Sequence, residues 1–383
     1  MVNKILYCAT VDYHFKAFHL PTMKWFKDQG WEVDVAASGT IDLPYTDTKH
    51  NIPIQRSPFS LSNLEAYKQL KTIIEQNDYS IIHCHTPLGG LLARLAARKA
   101  RRKGTKLFYT AHGFHFFSGA PIPNWLIYYP IEKLLSRYTD CLLTINQEDY
   151  QLAVKHQFQA GSIEHIHGVG VDTEKFKPVD KTKRTELKKS FGYHADDFLL
   201  FYAAEFNKNK NQQFLLHMLA LLKKDVPRVK LLLAGEGAML SSCQQLASSL
   251  GISHMVDFLG FRKDIDQLLP VCDIAVASSY REGLPVNVME AMACGLPVIA
   301  VDNRGHRELV QTNKTGWLLA DYNLEEFAGI VKLFSDDREV KSKLGLIGRK
   351  LIIDMYSSTK VLAEKSLIYK SHMEEEVTVW AAN

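Results

Sequence analysis

The stretch that decides the fold lies between residues 273 and 303 and reads DIAVASSYREGLPVNVMEAMACGLPVIAVDN. Its first seven residues, DIAVASS, are short, mostly apolar and followed by turn residues, which predicts a buried strand. The segment VNVMEAMA predicts a helix that ends at Gly295, because glycine readily adopts the left-handed conformation that closes a helix. The apolar run PVIAVDN then predicts a second strand. This order of strand, helix and strand is typical of a parallel βαβ unit.

The same alternation extends over most of the chain. Apolar runs predict strands at 4–11, 31–38, 79–85, 106–112, 140–146, 162–168, 197–205, 228–237, 255–261, 273–279, 297–303 and 316–320. Helical patterns between the first of these strands lie near 17–29, 62–77, 88–102, 122–137 and 146–157. The charged run at 173–192 has little apolar periodicity and predicts a linker. We therefore expect an α/β protein with two Rossmann-like, doubly wound parallel-sheet domains, over 1–180 and 190–355.

Composition supports two soluble domains and excludes several classes of protein. The 383 residues are enough for two separate cores, and 46% hydrophobic with 23% charged residues is typical of globular proteins. The six cysteines form no CxxC pair, which indicates free thiols in a reducing compartment. No signal peptide or apolar run of about 18 residues is evident, so we expect a cytoplasmic protein. A net charge of +4 without a recognition motif argues against nucleic-acid binding.

The predicted sheets indicate where ligands bind, but the glycines argue against a dinucleotide. Open parallel sheets bind ligands beyond the carboxyl ends of their strands, so two such domains predict a cleft between them. A dinucleotide fingerprint needs glycines directly after the first strand, and no glycine precedes Gly30. The GEG at 235–237 is either a fragment of a nucleotide loop or a tight turn. The helix after Gly283 offers free backbone N–H groups to a phosphate.

Two glutamates in the opening stretch carry a family resemblance. Seven residues separate Glu282 from Glu290, and with AMACGLPVIA (291–300) this spacing resembles the E-x7-E motif of the family 4 retaining glycosyltransferases, which have the GT-B fold. The resemblance covers essentially the whole chain, including HGF at 112–114, FLGFRKD at 258–264 and the end of the chain at 356–370.

A narrower resemblance concerns two segments of the first half. The segments ATVDYHFKAFHLP (9–21) and HCHTPLGGLLARLAARKARRKGTK (83–106) look like exopolysaccharide and capsule glycosyltransferases of Gram-positive bacteria. The resemblance implies two GT-B domains facing across a cleft, with a tail at 356–375 that crosses back onto the first. It also implies transfer, with retention, of a hexose or N-acetylhexosamine from a nucleotide sugar, expected to be a UDP-sugar, to a lipid-linked saccharide.

Family resemblance assigns most of the donor site to the second domain. Glu282 would bind hydroxyls of the donor sugar, and Glu290 would bind the ribose. Carboxylates suit both tasks because each accepts several hydrogen bonds. A capping or salt-bridge role is the alternative for either glutamate. Further donor-binding residues implied by the motifs are Gly283, Leu284, Pro285, Val286 and Arg262.

A lysine and a histidine complete the implied catalytic residues. Lys210, in AAEFNKNKNQ (203–212), occupies the place of the family's diphosphate-binding lysine. Glu205 stands where the family has an arginine, and Lys208 either compensates for it or is solvated. His112 ends a strand, and by resemblance it would contact the donor sugar near its 6-position. The alternative for His112 is a ring stacked among the aromatic residues of 114–117.

The remaining histidines and Asp12 belong to the first domain. Asp12 and His14 replace the glycines usual in the family and are candidate acceptor-side residues, with helix capping the alternative for Asp12. We interpret His83 and His85 as structural, because no third metal ligand lies near them in sequence. No Asp-x-Asp motif follows a strand, so we expect no metal and no cofactor.

A basic segment gives the last expectation from sequence. The apolar stretch that begins at residue 88 ends in six cations between 94 and 103. This pattern predicts contact with an anionic membrane surface, and residues 24–27 would form part of the same contact. A core helix with a solvated basic end is the alternative. Membrane contact would suit a polyprenyl-diphosphate-linked acceptor. Two other functions remain open at this point, a GT-B nucleotide-sugar 2-epimerase and a non-catalytic binding subunit.

Overall fold

A computed structural model describes the backbone of residues 2–381 and the side chains of residues 2–373. Contacts divide the chain into two compact units. The first contains the residues up to Gly170 and those from Val361 onward, and the second runs from Val171 to Lys360. The division falls at residue 170, before the predicted end of the first domain at 180.

The first unit is built on a seven-stranded parallel sheet. Its strands are β1 (Lys4–Val11), β2 (Glu32–Ser38), β3 (Thr48–Asn51), β4 (Ile81–His85), β5 (Lys106–Ala111), β6 (Cys141–Thr144) and β7 (Ser162–His165). Their order across the sheet is β3-β2-β1-β4-β5-β6-β7. The sequence analysis missed β3, because its residues TKHN are polar and only half buried at the sheet edge.

Helices cover this sheet, and two predicted helices are each divided in two. The bounds are α1 (Tyr13–Phe18), α2 (Leu20–Asp28), α3 (Ser62–Gln76), α4 (Pro87–Ala96), α5 (Arg98–Arg101), α6 (Ile122–Ser136) and α7 (Gln147–Lys155). The predicted helix at 17–29 breaks at His19, where Pro21 starts a new first turn. Arg94 is buried and pairs with Glu132, so the exposed basic segment begins only at Arg98.

The second unit has a six-stranded parallel sheet in the order β10-β9-β8-β11-β12-β13. Its strands are β8 (Phe198–Ala203), β9 (Val229–Ala234), β10 (Val256–Gly260), β11 (Ile274–Ala277), β12 (Val298–Val301) and β13 (Gly316–Leu319). Its α-helices are α8 (Lys181–Ser190), α9 (Gln212–Leu222), α10 (Leu240–Ser249), α11 (Ile265–Leu268), α12 (Val286–Ala293), α13 (Arg304–Leu309), α14 (Leu324–Asp336) and α15 (Arg338–Leu351). Short 3₁₀ turns lie at Ser253–Met255 and Leu269–Val271, and a π-helical turn spans Ile352–Tyr356.

The predicted linker at 173–192 is wrong over its second half, which forms α8. Asp180 caps this helix by accepting a hydrogen bond from the Lys183 N–H. Lys188 is buried, and its Nζ donates to the carbonyl of Asp197 at 2.5 Å. Arg184 bonds the Asp273 carboxylate at 3.0 Å. Two cations on the inner face of α8, Arg184 and Lys188, therefore bond acceptors that are buried or in the sheet, which is why apolar periodicity did not reveal the helix.

The GEG turn at 235–237 has a structural explanation. Gly235 and Gly237 both have φ near +145°, and a side chain at either position would collide with the backbone of 204–206. The Gly235 N–H donates to the carbonyl of Gly260 at 2.7 Å. The two glycines therefore allow neighbouring strands and loops to pack closely, which accounts for them without a nucleotide.

The last helix, α16 (Ser358–Ala381), joins the first unit from Val361 onward. The Tyr369 hydroxyl forms a 2.5 Å hydrogen bond with His83 Nδ1, and Glu364 pairs with His167 at 2.6 Å. These buried and half-buried contacts anchor the helix beside β4 and β7. Among the helices of the described residues, none is both long and apolar enough to cross a bilayer.

We predict opposite effects of alanine at two helical glycines of the second unit. A Cβ at Gly345 in α15 would collide with the carbonyl oxygen of Gly295, whereas a Cβ at Gly329 in α14 meets nothing within 4 Å. Gly345→Ala should lower the free energy of unfolding by about 1–3 kcal/mol through overpacking. Gly329→Ala should raise it by about 0.5–1 kcal/mol through helix propensity. Urea unfolding measures both free-energy changes. Equal midpoints for the two variants would contradict the close contact between Gly345 of α15 and the carbonyl of Gly295.

Candidate active site

The geometry of the second sheet brings two loops together at one point. The first strand of the unit, β8, lies between β9 and β11, so the strand order reverses beside it. In open parallel sheets ligands bind at such a reversal, beyond the carboxyl ends of the strands. The loop after β8 carries Lys210, and the loop after β11 carries Glu282.

Hydrogen bonds join these two loops directly. The Tyr280 N–H donates to the carbonyl of Asn209 at 2.8 Å, and Asn209 Nδ2 donates to the carbonyl of Arg281 at 2.9 Å. Ser278 Oγ donates to the carbonyl of Lys210 at 3.0 Å. Asn211 follows with a left-handed φ of 50° and leads into α9. The backbone of both loops is therefore fixed before any ligand binds.

Two of the predicted catalytic residues meet across this junction. Lys210 Nζ lies 2.5 Å from Glu282 Oε1, and both side chains are largely buried. Charge-assisted contacts in partly buried surroundings are stronger than those in water. The pair places one cation and one carboxylate at the switch point of the sheet, and the family resemblance assigned them to the diphosphate and the sugar.

Arg304 and Gly305 complete this junction, and the sequence analysis missed both. Arg304 is buried, and its Nε donates to the carbonyl of Glu282 at 3.0 Å. A Cβ at Gly305 would lie 2.7 Å from the Cβ of Glu282, so glycine allows α13 to approach the motif. The signal was present in the sequence, because 302–305 follow the strand next to β11 and must reach the same sheet edge.

The turn between Glu282 and α12 presents backbone rather than side chains. Leu284 and Pro285 are buried, whereas Gly283 and Val286 are half buried. Pro285 precedes the first helical residue, a place where its missing N–H costs nothing. The helix ends as predicted at Gly295, whose φ is 77°. Any ligand at this turn would therefore meet main-chain N–H groups and the positive end of the helix dipole.

Glu290 is a half-buried carboxylate on α12. Its pKa is raised to about 7, mainly by burial, while Lys175 acts in the opposite direction and Asp266 adds a smaller upward effect. Within the described part of the chain, no hydrogen bond reaches its carboxylate oxygens. A carboxylate withdrawn from water without hydrogen-bond partners loses stability, and a hydroxyl pair of a ribose would supply the missing donors.

The remaining second-unit candidates are engaged elsewhere or exposed. Arg262 donates two hydrogen bonds to Asp264, at 2.8 and 2.5 Å, so any donor contact would have to compete with that pair. Glu205 is exposed, and so is Lys208. Among the described residues, no ion pair joins Glu205 to a lysine of its own loop. Lys210 of that loop pairs with Glu282.

In the first unit, His112 lies among histidines rather than among phenylalanines. Its Nε2 is 3.3 Å from His85 Nδ1, and its ring meets that of His14 edge to face. Phe114 and Phe116 stack on each other within the core. The alternative that placed His112 in the aromatic cluster is therefore wrong, while its role toward the sugar stays a prediction.

Asp12 has a different neighbourhood from the one expected. Its side chain is buried and accepts hydrogen bonds from Lys49 Nζ at 2.6 Å and from the Ile41 N–H at 2.7 Å. Burial alone would raise the pKa of this carboxyl, but these bonds lower it overall. Its side chain makes no cap on α1, so the capping alternative is wrong. The contact with Lys49 ties the loop after β1 to β3.

Comparisons with known proteins agree with this geometry. A family model described as Glycosyl transferases group 1 matches residues 183–351, within the second unit. A second model, described as Glycosyl transferase 4-like, matches residues 4–146 of the first unit. Each unit is thus recognised separately as half of a glycosyltransferase.

Individual relatives extend the match to the whole chain. The putative glycosyltransferase EpsD of Bacillus subtilis is 52% identical over 374 residues, 98% of each protein. A UDP-Gal:alpha-D-GlcNAc-diphosphoundecaprenol alpha-1,3-galactosyltransferase of Escherichia coli is 25% identical over 73% of this chain and 74% of its own.

A solved structure has the same fold. HepE of Anabaena, crystallised with UDP and glucose, superimposes with a TM-score of 0.79 at 20% identity, covering 96% of this chain and all of HepE. Two family models, one for each unit, and a full-length relative above 50% identity lead to one conclusion. The chain belongs to the family 4 glycosyltransferases, enzymes of the GT-B fold.

Proposed function

We propose that the enzyme transfers a hexose or N-acetylhexosamine, with retention, from a UDP-sugar to a polyprenyl-diphosphate-linked saccharide in exopolysaccharide or capsule synthesis. The observation that carries the proposal is the Lys210–Glu282 pair at the switch point of the second sheet. The pair puts a cation for the leaving diphosphate next to an acceptor for sugar hydroxyls.

The second unit supplies a separate group for each part of the donor. Glu290, with its unpaired carboxylate, binds the ribose hydroxyls. Lys210 and the backbone of 283–286 face the diphosphate, and Glu282 binds the sugar. When the diphosphate enters, Lys210 exchanges part of its contact with Glu282 for the phosphate. Because negative charge grows on the phosphate as the glycosidic bond breaks, this cation stabilises the transition state more than the ground state.

Retention follows from a same-face displacement in the proposal. The bond from the anomeric carbon to the diphosphate oxygen breaks, giving an oxocarbenium-like carbon, and the acceptor hydroxyl oxygen bonds to that carbon from the same face. The departing diphosphate takes the hydroxyl proton. No side chain acts as a nucleophile in this sequence of steps.

Two relatives support the choice of substrates. The printed name of the E. coli relative includes both a UDP-sugar and a diphosphoundecaprenol acceptor. EpsD supports a role in exopolysaccharide synthesis, since it matches along nearly the whole chain. The likeness to HepE supports only the fold.

A membrane-bound acceptor requires a surface that meets lipid, and α6 offers one. Six of its apolar side chains are exposed, in the order Ile122, Leu126, Ile127, Tyr128, Ile131 and Leu134. Contiguous apolar surface of this kind usually marks an interaction site. The segment predicted from sequence, 24–27, does not fit, because Phe26 is buried and Lys24 and Lys27 pair with aspartates.

Basic residues adjoin the end of this helix. The Arg98 guanidinium lies 5.5 Å from the centre of the Tyr138 ring, and Arg101 Nη1 donates to the carbonyl of Arg137. Arg102 and Lys103 follow and are exposed. An apolar face with cations at one end suits the surface of an anionic bilayer. A pocket of about 160 Å³ is lined by Tyr128 and Glu132 of α6 and by His112 of the loop after β5.

We predict that Lys210 contributes strongly to the rate and Glu205 weakly. Lys210→Ala should reduce the donor-saturated kcat by about 30- to 900-fold, or ~2–4 kcal/mol, because it removes the cation beside the leaving group. Glu205→Gln should change kcat by less than about tenfold, and the exposed Lys208→Ala serves as the matched lysine control. An equal loss in Glu205→Gln and Lys210→Ala would mean that the diphosphate contacts are misassigned.

We predict a trade between stability and nucleotide binding at Glu290. Folded protein keeps the Glu290 proton up to about pH 7, whereas the unfolded chain loses it near 4.5, so stability falls as pH rises through this window. Glu290→Gln should therefore raise the free energy of unfolding by about 1–3 kcal/mol at pH 8 and much less at pH 4.5. It should also weaken UDP binding by about tenfold or more.

Calorimetry with UDP and urea unfolding at the two pH values measure the two effects. The exposed Glu186→Gln is the control and should change neither quantity by more than about 0.5 kcal/mol. Unchanged UDP affinity in Glu290→Gln would refute the ribose assignment, whatever happens to stability.

The membrane proposal predicts a localised effect on vesicle binding. Substituting Glu for both Ile122 and Leu126 should weaken binding to vesicles containing anionic phospholipid by at least about tenfold, since it removes two apolar side chains and adds two like charges. Leu346→Glu, equally exposed on α15, should have little effect. Co-sedimentation measures the binding, and the same loss in all variants, or none in the double variant, would contradict this role of α6.

A direct assay tests the reaction and its metal requirement together. We expect transfer from a UDP-sugar to a polyprenyl-diphosphate-linked sugar, with no increase when Mg²⁺ or Mn²⁺ is added to EDTA-treated enzyme. The cations of the site are protein groups, so the diphosphate needs no ion of its own. A rate restored by Mg²⁺ or Mn²⁺ would contradict this, and conversion of UDP-GlcNAc without any acceptor would instead indicate an epimerase.

A further inference from the structure

The small pocket of the first unit lies where the loop after β5 meets α6. Tyr128 and Glu132, one turn apart on α6, contribute to its lining, and so do Gly113 and His115 of the loop. Its volume is about 160 Å³. A cavity of about 150 Å³ can hold a six-membered carbon ring. The pocket therefore has room for one sugar ring.

Glu132 supplies a fixed carboxylate to this pocket. One of its oxygens accepts a hydrogen bond from Arg94 Nη1 at 2.8 Å, and the other accepts one from the Tyr109 hydroxyl at 3.2 Å. The Arg94 guanidinium also lies 3.9 Å from the centre of the Tyr109 ring, which holds the three groups together. A carboxylate can accept about four hydrogen bonds, so each oxygen can still accept one from a ligand hydroxyl.

The charge of the pocket favours a neutral ligand. Among its described lining residues, Glu132 is the only Asp, Glu, Lys or Arg. Arg94 is buried and balances the charge of this carboxylate. A ligand that carries a full charge would therefore find no uncompensated partner here, whereas hydroxyl groups would find acceptors.

An aromatic pair forms a second feature of the pocket. The rings of His115 and Tyr128 stack with their centres 4.5 Å apart and their planes 26° from parallel. Asn124 Nδ2 donates to the carbonyl of His115 at 2.8 Å, and the Phe114 N–H donates to Asp149 at 3.0 Å. These bonds fix the loop that carries His115 before any ligand binds.

We propose that this pocket binds a neutral sugar ring of the lipid-linked acceptor, stacked on Tyr128 and hydrogen-bonded to Glu132. A sugar ring has apolar C–H faces and polar hydroxyls at its edge, so an aromatic face beside a fixed carboxylate matches both. The inference rests on the proposed function, which requires a saccharide acceptor, and it adds the place where that saccharide binds.

The surroundings of the pocket favour the acceptor over the donor. The exposed apolar residues Ile127, Ile131 and Leu134 are three and four residues apart on α6, so they form one stripe beside Tyr128. A polyprenyl chain can lie along this stripe while its sugar enters the pocket. His112, which is predicted to contact the donor sugar, lines the same pocket. An acceptor ring bound there would thus lie next to that contact.

Binding of soluble acceptor analogues without any donor tests the proposal. The probes are farnesyl diphosphate and its α-linked glucose, galactose and N-acetylglucosamine derivatives, titrated calorimetrically into the full-length protein. At least one glycosylated probe should bind about tenfold more tightly than farnesyl diphosphate. Tyr128→Leu should reduce this gain by about fivefold or more, while its affinity for farnesyl diphosphate should change by less than about twofold.

Matched variants separate the stacking contact from a general effect. Tyr128→Phe keeps the ring and should retain most of the gain. Tyr45→Leu is the control, because Tyr45 is a first-unit tyrosine of similar exposure, 41% against 37% for Tyr128. His115→Ala tests the aromatic pair again if Tyr128→Leu lowers the thermal midpoint. Glu132 is not replaced, because its loss would leave the buried Arg94 without its carboxylate.

Three results would overturn the proposal. The first is equal affinity for farnesyl diphosphate and all three glycosylated probes. The second is a gain that Tyr128→Leu and His115→Ala both retain in full. The third is a loss in Tyr128→Leu that is equally large for farnesyl diphosphate, since the residue would then contact the lipid instead of the sugar.

The pocket and the proposed function can fail separately. The titrations contain no UDP-sugar, so sugar-dependent binding that Tyr128→Leu weakens supports the pocket even if no transfer occurs. If transfer occurs with the same acceptor KM in Tyr128→Leu and wild type, the proposed function stands and the pocket assignment is wrong. A raised KM for the donor alone would likewise contradict the assignment to the acceptor.

Discussion

Parallel strands place all their carboxyl ends at one edge of the sheet, and both candidate sites depend on this constraint. In each unit the order reverses beside the first strand, so that two loops far apart in sequence emerge next to each other. In the second unit these loops carry Lys210 and Glu282, and in the first they carry His14 and His85. The chemistry of each site is therefore decided by short loops, while the sheets below are almost entirely apolar.

Two carboxylates of the second unit, Asp273 and Glu290, show how this protein separates structural from functional charge. Asp273 is surrounded by Arg184, Lys188 and Lys341 and also accepts the Leu199 N–H. Burial alone would raise its pKa, but these partners lower it overall. Glu290 is half buried, with Lys175 as the cation that acts on it, and its pKa rises. The first carboxylate holds α8 and α15 to the sheet, whereas the second is left ready for a ligand.

Sequence periodicity predicted most of the strands, because buried parallel strands are short apolar runs bounded by turns. It missed Thr48–Asn51, where an edge strand is polar, and it mistook α8 for a linker, since the buried face of that helix is formed by lysine and arginine stems. The E-x7-E spacing located Glu282 and Glu290 correctly on a loop and a helix. Periodicity alone did not place Arg304 against Glu282 or His85 beside His14, because those contacts depend on the order of strands in space.

All six cysteines are free and buried, three in each unit, and burial raises the pKa of every thiol. A buried, protonated thiol reacts with alkylating reagents only when the structure around it opens. The native chain therefore carries internal reporters of local unfolding, at Cys8, Cys84 and Cys141 for one sheet and at Cys243, Cys272 and Cys294 for the other. Mass spectrometry of pulse-alkylated protein could thus follow the opening of each unit separately, without any engineered label.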